Sequence, residues 1–106
     1  MRAERPRAAR YPFAANATLT DLESGPKTSE RTNDLSLFGC GLVPGGARST
    51  GTTVRLQMMH KGEVFEALGR IANASTNRLG IAFTKVEERH ELVLEKWIAE
   101  LRKRTS

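Results

Sequence analysis

The sequence predicts a mainly β fold, a small six-stranded antiparallel β-barrel with one C-terminal α-helix. Between Phe13 and Phe83, short stretches alternate apolar and polar residues, and turns rich in glycine and proline separate them. This pattern is typical of small barrels. After Phe83 the apolar spacing changes to three and four residues, which is the spacing of a helix. A chain of 106 residues supports one such domain with one modest core.

Alternation with a period of two identifies the inward face of each predicted strand. The first strand runs from Phe13 to Thr20, and a polar strand from Lys27 to Ser36 returns after a turn. Gly69, inside a later strand, predicts a bend or a bulge. The apolar residues that we expect to face the core are Phe13, Ala15, Ala17, Leu19, Val54, Leu56, Met58, Phe65, Ala67, Ile71, Leu79, Ile81 and Phe83.

The last predicted element is an amphipathic helix over about residues 85–103. Thr84 and Glu87 have the spacing of a capping box, which predicts that the helix begins there. Basic residues at its end, Arg102 and Lys103, suit the helix dipole. We expect its apolar stripe to pack on the barrel or on a partner. The stripe consists of Val86, His90, Val93, Leu94, Trp97, Ile98 and Leu101.

Positive charge is concentrated at the two ends of the chain. There are 17 Lys+Arg against 12 Asp+Glu, a net charge of +5, and Arg5, Arg7 and Arg10 lie near the start. Apart from Met1 and Pro6, residues 1–10 have no apolar side chain larger than alanine, so we expect a flexible basic arm before a domain spanning 11–103. Because arginine's planar donors match phosphate groups, the arm indicates an anionic partner. The alternative is that residues 1–10 form a solvated tail that binds no partner.

One stretch combines polar chemistry with a specific spacing. In Asp34-Leu35-Ser36-Leu37-Phe38-Gly39, an acid, a hydroxyl and a glycine follow the pattern Asp-x-Ser-x-x-Gly at the end of a predicted strand. Glycine lets a ligand approach the backbone closely, and short polar side chains beside it can bind that ligand. Taken alone, the same residues are also common where a side chain caps a turn.

In this order of strands and helix, the motif resembles the PilZ domain, a bacterial family best known as a receptor for cyclic diguanylate. The resemblance runs from about Glu4 to Leu101 and includes Gly69-Arg70-Ile71 and Leu79-Gly80-Ile81-Ala82-Phe83. It implies a signalling receptor or adaptor, and we expect a cytoplasmic protein because the basic start of the sequence lacks the apolar stretch of a secretory signal and Cys40 is the single cysteine. In that interpretation the basic arm orders over the barrel when the nucleotide binds, which changes the surface that a downstream protein contacts.

The resemblance also implies which residues bind the nucleotide. Asp34 would accept hydrogen bonds from N1 and N2 of a guanine, Ser36 would supply a hydroxyl, and Gly39 would leave room for the ring. Arginine suits both the phosphates and the O6 and N7 acceptors of guanine. The ligand-binding residues expected on this basis are Arg5, Arg7, Arg10, Asp34, Ser36 and Gly39.

Two departures from the family's pattern leave a second interpretation open. The family has an Arg-x-x-x-Arg arm, but four residues before Arg10 this chain has Pro6, flanked by Arg5 and Arg7. Phe38 stands where many members have glycine. The alternative is therefore a degenerate PilZ-like protein-interaction module that does not bind the nucleotide.

The sequence lacks the residues that other classes of function need. No nucleophile–base pair, catalytic carboxylate pair or metal-binding cluster is apparent, so we expect neither an enzyme nor a metal or cofactor. Cys40 is the single cysteine and is expected to be a small buried residue. No apolar run approaches the roughly 18 residues of a membrane span. The few aromatic residues mostly lie at core positions, which argues against specific nucleic-acid binding.

Overall fold

The structure, a computed structural model, describes residues 9–43 and 48–105. Within these ranges the chain forms seven strands and then one helix. The elements are β1 (Tyr11–Pro12), β2 (Asn16–Asp21), β3 (Lys27–Leu35), β4 (Gly39–Val43), β5 (Thr53–His60), β6 (Glu63–Ala74), β7 (Leu79–Lys85) and α1 (Glu88–Thr105).

Six of these strands close an antiparallel barrel. Their order is β3-β2-β5-β6-β7-β4, and a pairing between β3 and β4 joins the two ends of the sheet. The two-residue strand β1 adds to β3, where Tyr11 pairs with Leu35 and Pro12 with Asp34. The predicted six-stranded barrel with one C-terminal helix is therefore confirmed.

The core contains the residues that alternation predicted. Every position predicted to face inward along the strands is buried except Phe83, which is partly buried and packs against the core. The helix α1 adds Leu94, Trp97, Ile98 and Leu101. The Trp97 ring lies 5.5 Å from that of Phe13 and 6.3 Å from that of Phe65, so the helix packs on the barrel.

The helix begins later than the sequence pattern predicted. Thr84 and Lys85 belong to β7, and Lys85 pairs with Leu68 of β6. The backbone carbonyl of Glu87 accepts bonds from the amides of His90 and Glu91, both at 2.9 Å, so the first turn starts at Glu88. The predicted capping box is wrong because Thr84 lies inside β7, between the paired residues Phe83 and Lys85.

Breaks in strand register shape the barrel next to the motif. One lies between Thr32 and Asp34 where β3 pairs with β4, which leaves Asn33 as an extra residue in β3. A second break lies between Ile71 and Asn73 of β6. At a third, Leu68 and Gly69 pair with Lys85 and Phe83, so an irregularity occurs at Gly69 as predicted, but the extra residue, Thr84, lies on β7. Such bulges bend a strand and change the direction of a side chain.

Within the described residues, the helix α1 has too few apolar residues to span a membrane. In residues 9–43 and 48–105, no group of three or more His, Cys, Asp or Glu side chains is placed to hold a metal ion.

Candidate functional site

Four residues from neighbouring strands form a row on the outside of the barrel, which we call the glycine row. Asp34 of β3 pairs with Gly41 of β4, Gly41 pairs with Gly80 of β7, and Gly80 pairs with Asn73 of β6. The chain neighbours of Asp34, Gly41 and Gly80 that lie in the core are Leu35, Cys40, Leu42, Leu79 and Ile81, while Asn73 is itself exposed. Because successive side chains of a strand point to opposite faces, the row faces outward.

The two central glycines make the row shallow, and neighbouring side chains lie against them. A Cβ atom on Gly41 would lie 2.5 Å from both Arg78 Nη2 and Asn33 Oδ1. A Cβ atom on Gly80 would lie 2.7 Å from the amide atoms of Asn73. The absence of side chains at these two positions thus admits an arginine and two asparagines directly onto the backbone.

Asp34 is the acidic centre of the row, and both of its carboxylate oxygens accept hydrogen bonds. Arg78 donates from Nη2 to Oδ2 at 2.6 Å, and Arg10 donates from Nη2 to Oδ1 at 3.2 Å. The Asp34 side chain keeps 21% of its exposure, so it remains accessible from solvent. Two of the predicted residues, Arg10 and Asp34, are therefore in contact although 24 positions separate them.

Ser36 has a structural role in the turn between β3 and β4. Its side chain is buried, and its Oγ accepts a bond from the amide of Phe38 at 3.1 Å. The same hydroxyl donates to the carbonyl of Gly39 at 3.3 Å, and the Ser36 amide donates to that carbonyl at 2.9 Å. Ser36 thus closes the turn that brings β4 back beside Asp34, and its direct contact with a ligand stays a prediction.

Gly39 also has a packing reason to be glycine. A Cβ atom there would collide with the backbone carbonyl oxygen of Ile81 on the paired strand β7. Glycine at this position therefore permits the β4–β7 pairing on which the glycine row depends. A further role in leaving room for a ligand ring stays a prediction.

The turn between β3 and β4 presents an apolar tip to solvent. Phe38 is 57% exposed and Leu37 is 39% exposed, while the carbonyl of Phe38 accepts a bond from the amide of Phe83 at 2.9 Å. The turn thus places two large apolar side chains at the surface, which is where a protein partner makes contact. Of the predicted arm residues, Arg10 is described above, whereas Arg5 and Arg7 lie outside the described residues.

Cys40 lies directly beneath the row, on the core side of β4. The thiol is fully buried. Burial, and then the negative charge of Asp34, raises the pKa of Cys40 to about 12. The sulfur therefore stays protonated near neutral pH and acts as a small apolar core group.

The site also contains residues that are not among those predicted from the sequence: Arg78, Asn33, Asn73, Gly41 and Gly80. Both glycines lie inside the quoted motifs, and their spacing from core residues was a usable signal for the outward face. Arg78 had no such signal. It follows a polar turn and reaches Asp34 across 44 positions only because β4 and β7 are neighbours.

The arrangement suits a planar ligand that carries both hydrogen-bond donors and negative charge. Asp34 can accept two N–H groups from such a ligand, since a carboxylate has about four lone-pair sites. Arg10 and Arg78 supply guanidinium groups that match phosphate. The backbone at Gly41 and Gly80 would offer a surface to a flat ring once the side chains of Arg78, Asn33 and Asn73, which lie against it, move aside.

Solved structures with the same fold support this description of the barrel. The PilZ domain of CeSA from a cellulose-synthesizing bacterium is 20% identical, with a TM-score of 0.72, and the match covers 89% of this chain and 98% of that domain. The PilZ domain of YcgR from Escherichia coli, solved with c-di-GMP, is 21% identical with a TM-score of 0.74, and 96% and 95% of the chains are covered.

A third similar structure is that of a larger protein. The Bacillus subtilis inhibitor of motility MotI/DgrA is 11% identical with a TM-score of 0.79, and the match covers 98% of this chain but 54% of that one. At these identities the structures show a shared fold. No curated protein matches the chain in sequence. The sequence profile of the PilZ domain, however, matches residues 2–100, and the chain belongs to the PilZ domain family.

Proposed function

We propose that this protein is a cytoplasmic receptor for cyclic diguanylate and that the nucleotide binds over the glycine row. The observation that carries the proposal is the contact between Arg10 and Asp34, which joins the basic arm to the carboxylate of the family's motif at 3.2 Å. Membership of the PilZ family supports it, as does the c-di-GMP in the similar structures of YcgR. The expected role is regulatory and not enzymatic.

The chemistry of recognition follows from the groups in the row. The N1 and N2 donors of a guanine can pair with the two oxygens of Asp34 while its ring lies against Gly41 and Gly80. Arg10 can then turn to a phosphate or to the O6 and N7 acceptors, because it is half exposed. The exposed ring of Phe38 can stack on a base.

The segment directly after the arm, Tyr11 to Phe13, connects this site to the helix, which gives the proposed receptor a route for its signal. Next to Arg10, the Tyr11 hydroxyl accepts a bond from Arg102 Nε of α1 at 3.4 Å. Phe13 packs on Trp97 of the same helix. Ordering of residues 1–10 by a nucleotide would thus change the surface formed by the arm and α1, and we propose this surface as the contact for a downstream protein.

A degenerate protein-interaction module remains the second candidate. Pro6 replaces the first arginine of the family's arm, and the exposed Leu37 and Phe38 give the β3–β4 turn an apolar tip suited to a protein partner. Under this alternative the row is a structural feature and no nucleotide binds.

Calorimetric titration of the purified protein with cyclic diguanylate tests the proposal. We expect heat of binding from the wild type and affinity lower by about 10- to 100-fold in Asp34→Ala, since bonds to charged groups contribute roughly 1.5–3 kcal/mol. Arg10→Ala should weaken binding in the same range. Arg55→Ala is the matched control, because Arg55 pairs with Glu66 on β5 and β6 away from the row. A wild-type protein that produces no binding heat at low salt would support the interaction module instead.

A further inference from the structure

Arg78 forms an ion pair with the carboxylate of Asp34, the group that binds guanine in the proposed function. Its Nη2 lies 2.6 Å from Asp34 Oδ2, a shorter contact than that of Arg10 with Oδ1. Its Nη2 and Cζ lie 2.5 Å and 2.9 Å from the position of a Cβ atom on Gly41. The guanidinium therefore covers the backbone of the row as well as its acidic group.

We propose that Arg78 is an internal competitor, which occupies the place of a guanine edge on Asp34 and must be displaced when cyclic diguanylate binds. This inference rests on the proposed function and concerns the same site. A guanidinium is planar and presents neighbouring N–H donors, as the N1 and N2 edge of guanine does. The two groups therefore compete for the same carboxylate oxygens and for the same surface over Gly41.

The local structure allows the side chain to leave without refolding the loop. The backbone carbonyl of Arg78 accepts bonds from the amide of Ser75 at 2.9 Å and from its hydroxyl at 3.3 Å. These bonds fix the turn between β6 and β7 independently of the guanidinium. The Arg78 side chain is 33% exposed, so rotation about its own bonds takes it into solvent.

The sign of the effect of a substitution separates competition from simple attraction. Cyclic diguanylate carries two phosphates, so removal of a positive charge near the site weakens binding if Arg78 only attracts the ligand. If Arg78 competes for Asp34, its removal strengthens binding because no ion pair has to be broken first. The free energy of a partly exposed ion pair is about 0.2–1 kcal/mol, which corresponds to an affinity change of up to about fivefold.

The test compares Arg78→Gln with the wild type and with Arg89→Gln in the same titration with cyclic diguanylate. Arg89 is the charge-matched control, since it lies on α1 with a 77% exposed side chain. We expect Arg78→Gln to bind about two- to fivefold more tightly than the wild type and Arg89→Gln to bind equally or slightly less tightly. Arg78→Lys keeps the charge without the planar fork and should lie between Arg78→Gln and the wild type.

The outcomes separate this inference from the proposed function. If the wild type binds and Arg78→Gln binds equally or more weakly, competition is overturned while the receptor function stands. If Arg78→Gln binds and the wild type does not, competition is supported while the receptor function of the wild-type protein is overturned. If neither binds, the receptor function fails and the competition fails with it. Unfolding curves of all variants establish that each protein is folded before its titration is interpreted.

Discussion

Gly39 and Gly41 are two positions apart, yet the structure requires glycine at them for different reasons. At Gly39 a Cβ atom meets the backbone of Ile81, which cannot move without disturbing the β4–β7 pairing. At Gly41 it meets the ends of the Arg78 and Asn33 side chains, which can rotate away. The first glycine therefore supports the barrel, and the second supports the arrangement of the site.

This difference predicts unequal stability losses for the two alanine variants. Gly39→Ala should lower the free energy of unfolding by about 1–3 kcal/mol, in the range of overpacked interiors. Gly41→Ala should lower it by less and should displace Arg78 from Asp34. Chemical denaturation of both variants beside the wild type measures the difference. A loss at Gly41 equal to or larger than that at Gly39 would contradict the assignment.

Residue type and spacing were enough to select the motif but not to complete the site. Asp34 is expected to bind a ligand because it belongs to the Asp-x-Ser-x-x-Gly motif and matches the PilZ pattern, and the structure places Arg10 on it. Arg78 and Asn73 could not be found in this way. Their positions beside the row depend on register breaks and on pairing between distant strands, which local patterns do not contain.

At the scale of elements, α1 is attached to the barrel through a cluster of rings that includes His60 at the end of β5. The His60 ring lies 4.7 Å from Phe13 and 5.4 Å from Trp97. Its burial lowers the pKa of His60 below the ordinary value of 6.5. Of the neighbouring charges, Lys61 and Arg104 lower that pKa further, while Glu100 and Glu63 raise it.

This shift predicts that acid loosens the contact between β5 and α1. Because the pKa of His60 is lower in the folded state, the unfolded state binds more protons below 6.5. The contribution of neutral His60 to the free energy of unfolding is therefore intact above pH 6.5. It is lost as the pH falls from 6.5 towards the lower pKa of the folded state. His60→Phe keeps a ring but cannot titrate, so its free energy of unfolding should fall less steeply below 6.5.

Urea denaturation of both proteins over this pH range measures the two slopes. They differ by at most about 1.4 kcal/mol per pH unit, the limit for one proton. All the carboxylates are common to the two proteins, so the difference isolates His60. Identical slopes would show that His60 titrates alike in the folded and unfolded states.

The elements themselves were largely predictable, because alternation and helical spacing are local properties of the chain. The buried faces of β5 and β6 agree with the predicted positions, including the break at Gly69. The start of α1 was not predictable in the same way. Thr84 and Glu87 fit a capping pattern, but the pairing of Lys85 with Leu68 extends β7 beyond it.

At the scale of the whole molecule, closure of the barrel creates the candidate site. Pairing of β3 with β4, and of β4 with β7, brings Arg10, Asp34 and Arg78 together from three separate parts of the chain. The segment directly after the arm contacts α1 through Tyr11 and Phe13. The fold thus places one segment between the candidate site and a helix, which is the arrangement that the proposed receptor requires.

A titration of the 15N-labelled protein with cyclic diguanylate, followed by amide chemical shifts, tests most directly whether the nucleotide binds over the glycine row. The account predicts that the largest shift changes occur at Asp34, Gly41 and Gly80. Thr18 on β2 and Gln57 on β5, which lie outside the row, should change little. Spectra that remain unchanged with excess nucleotide, or changes confined to β2 and β5, would contradict it.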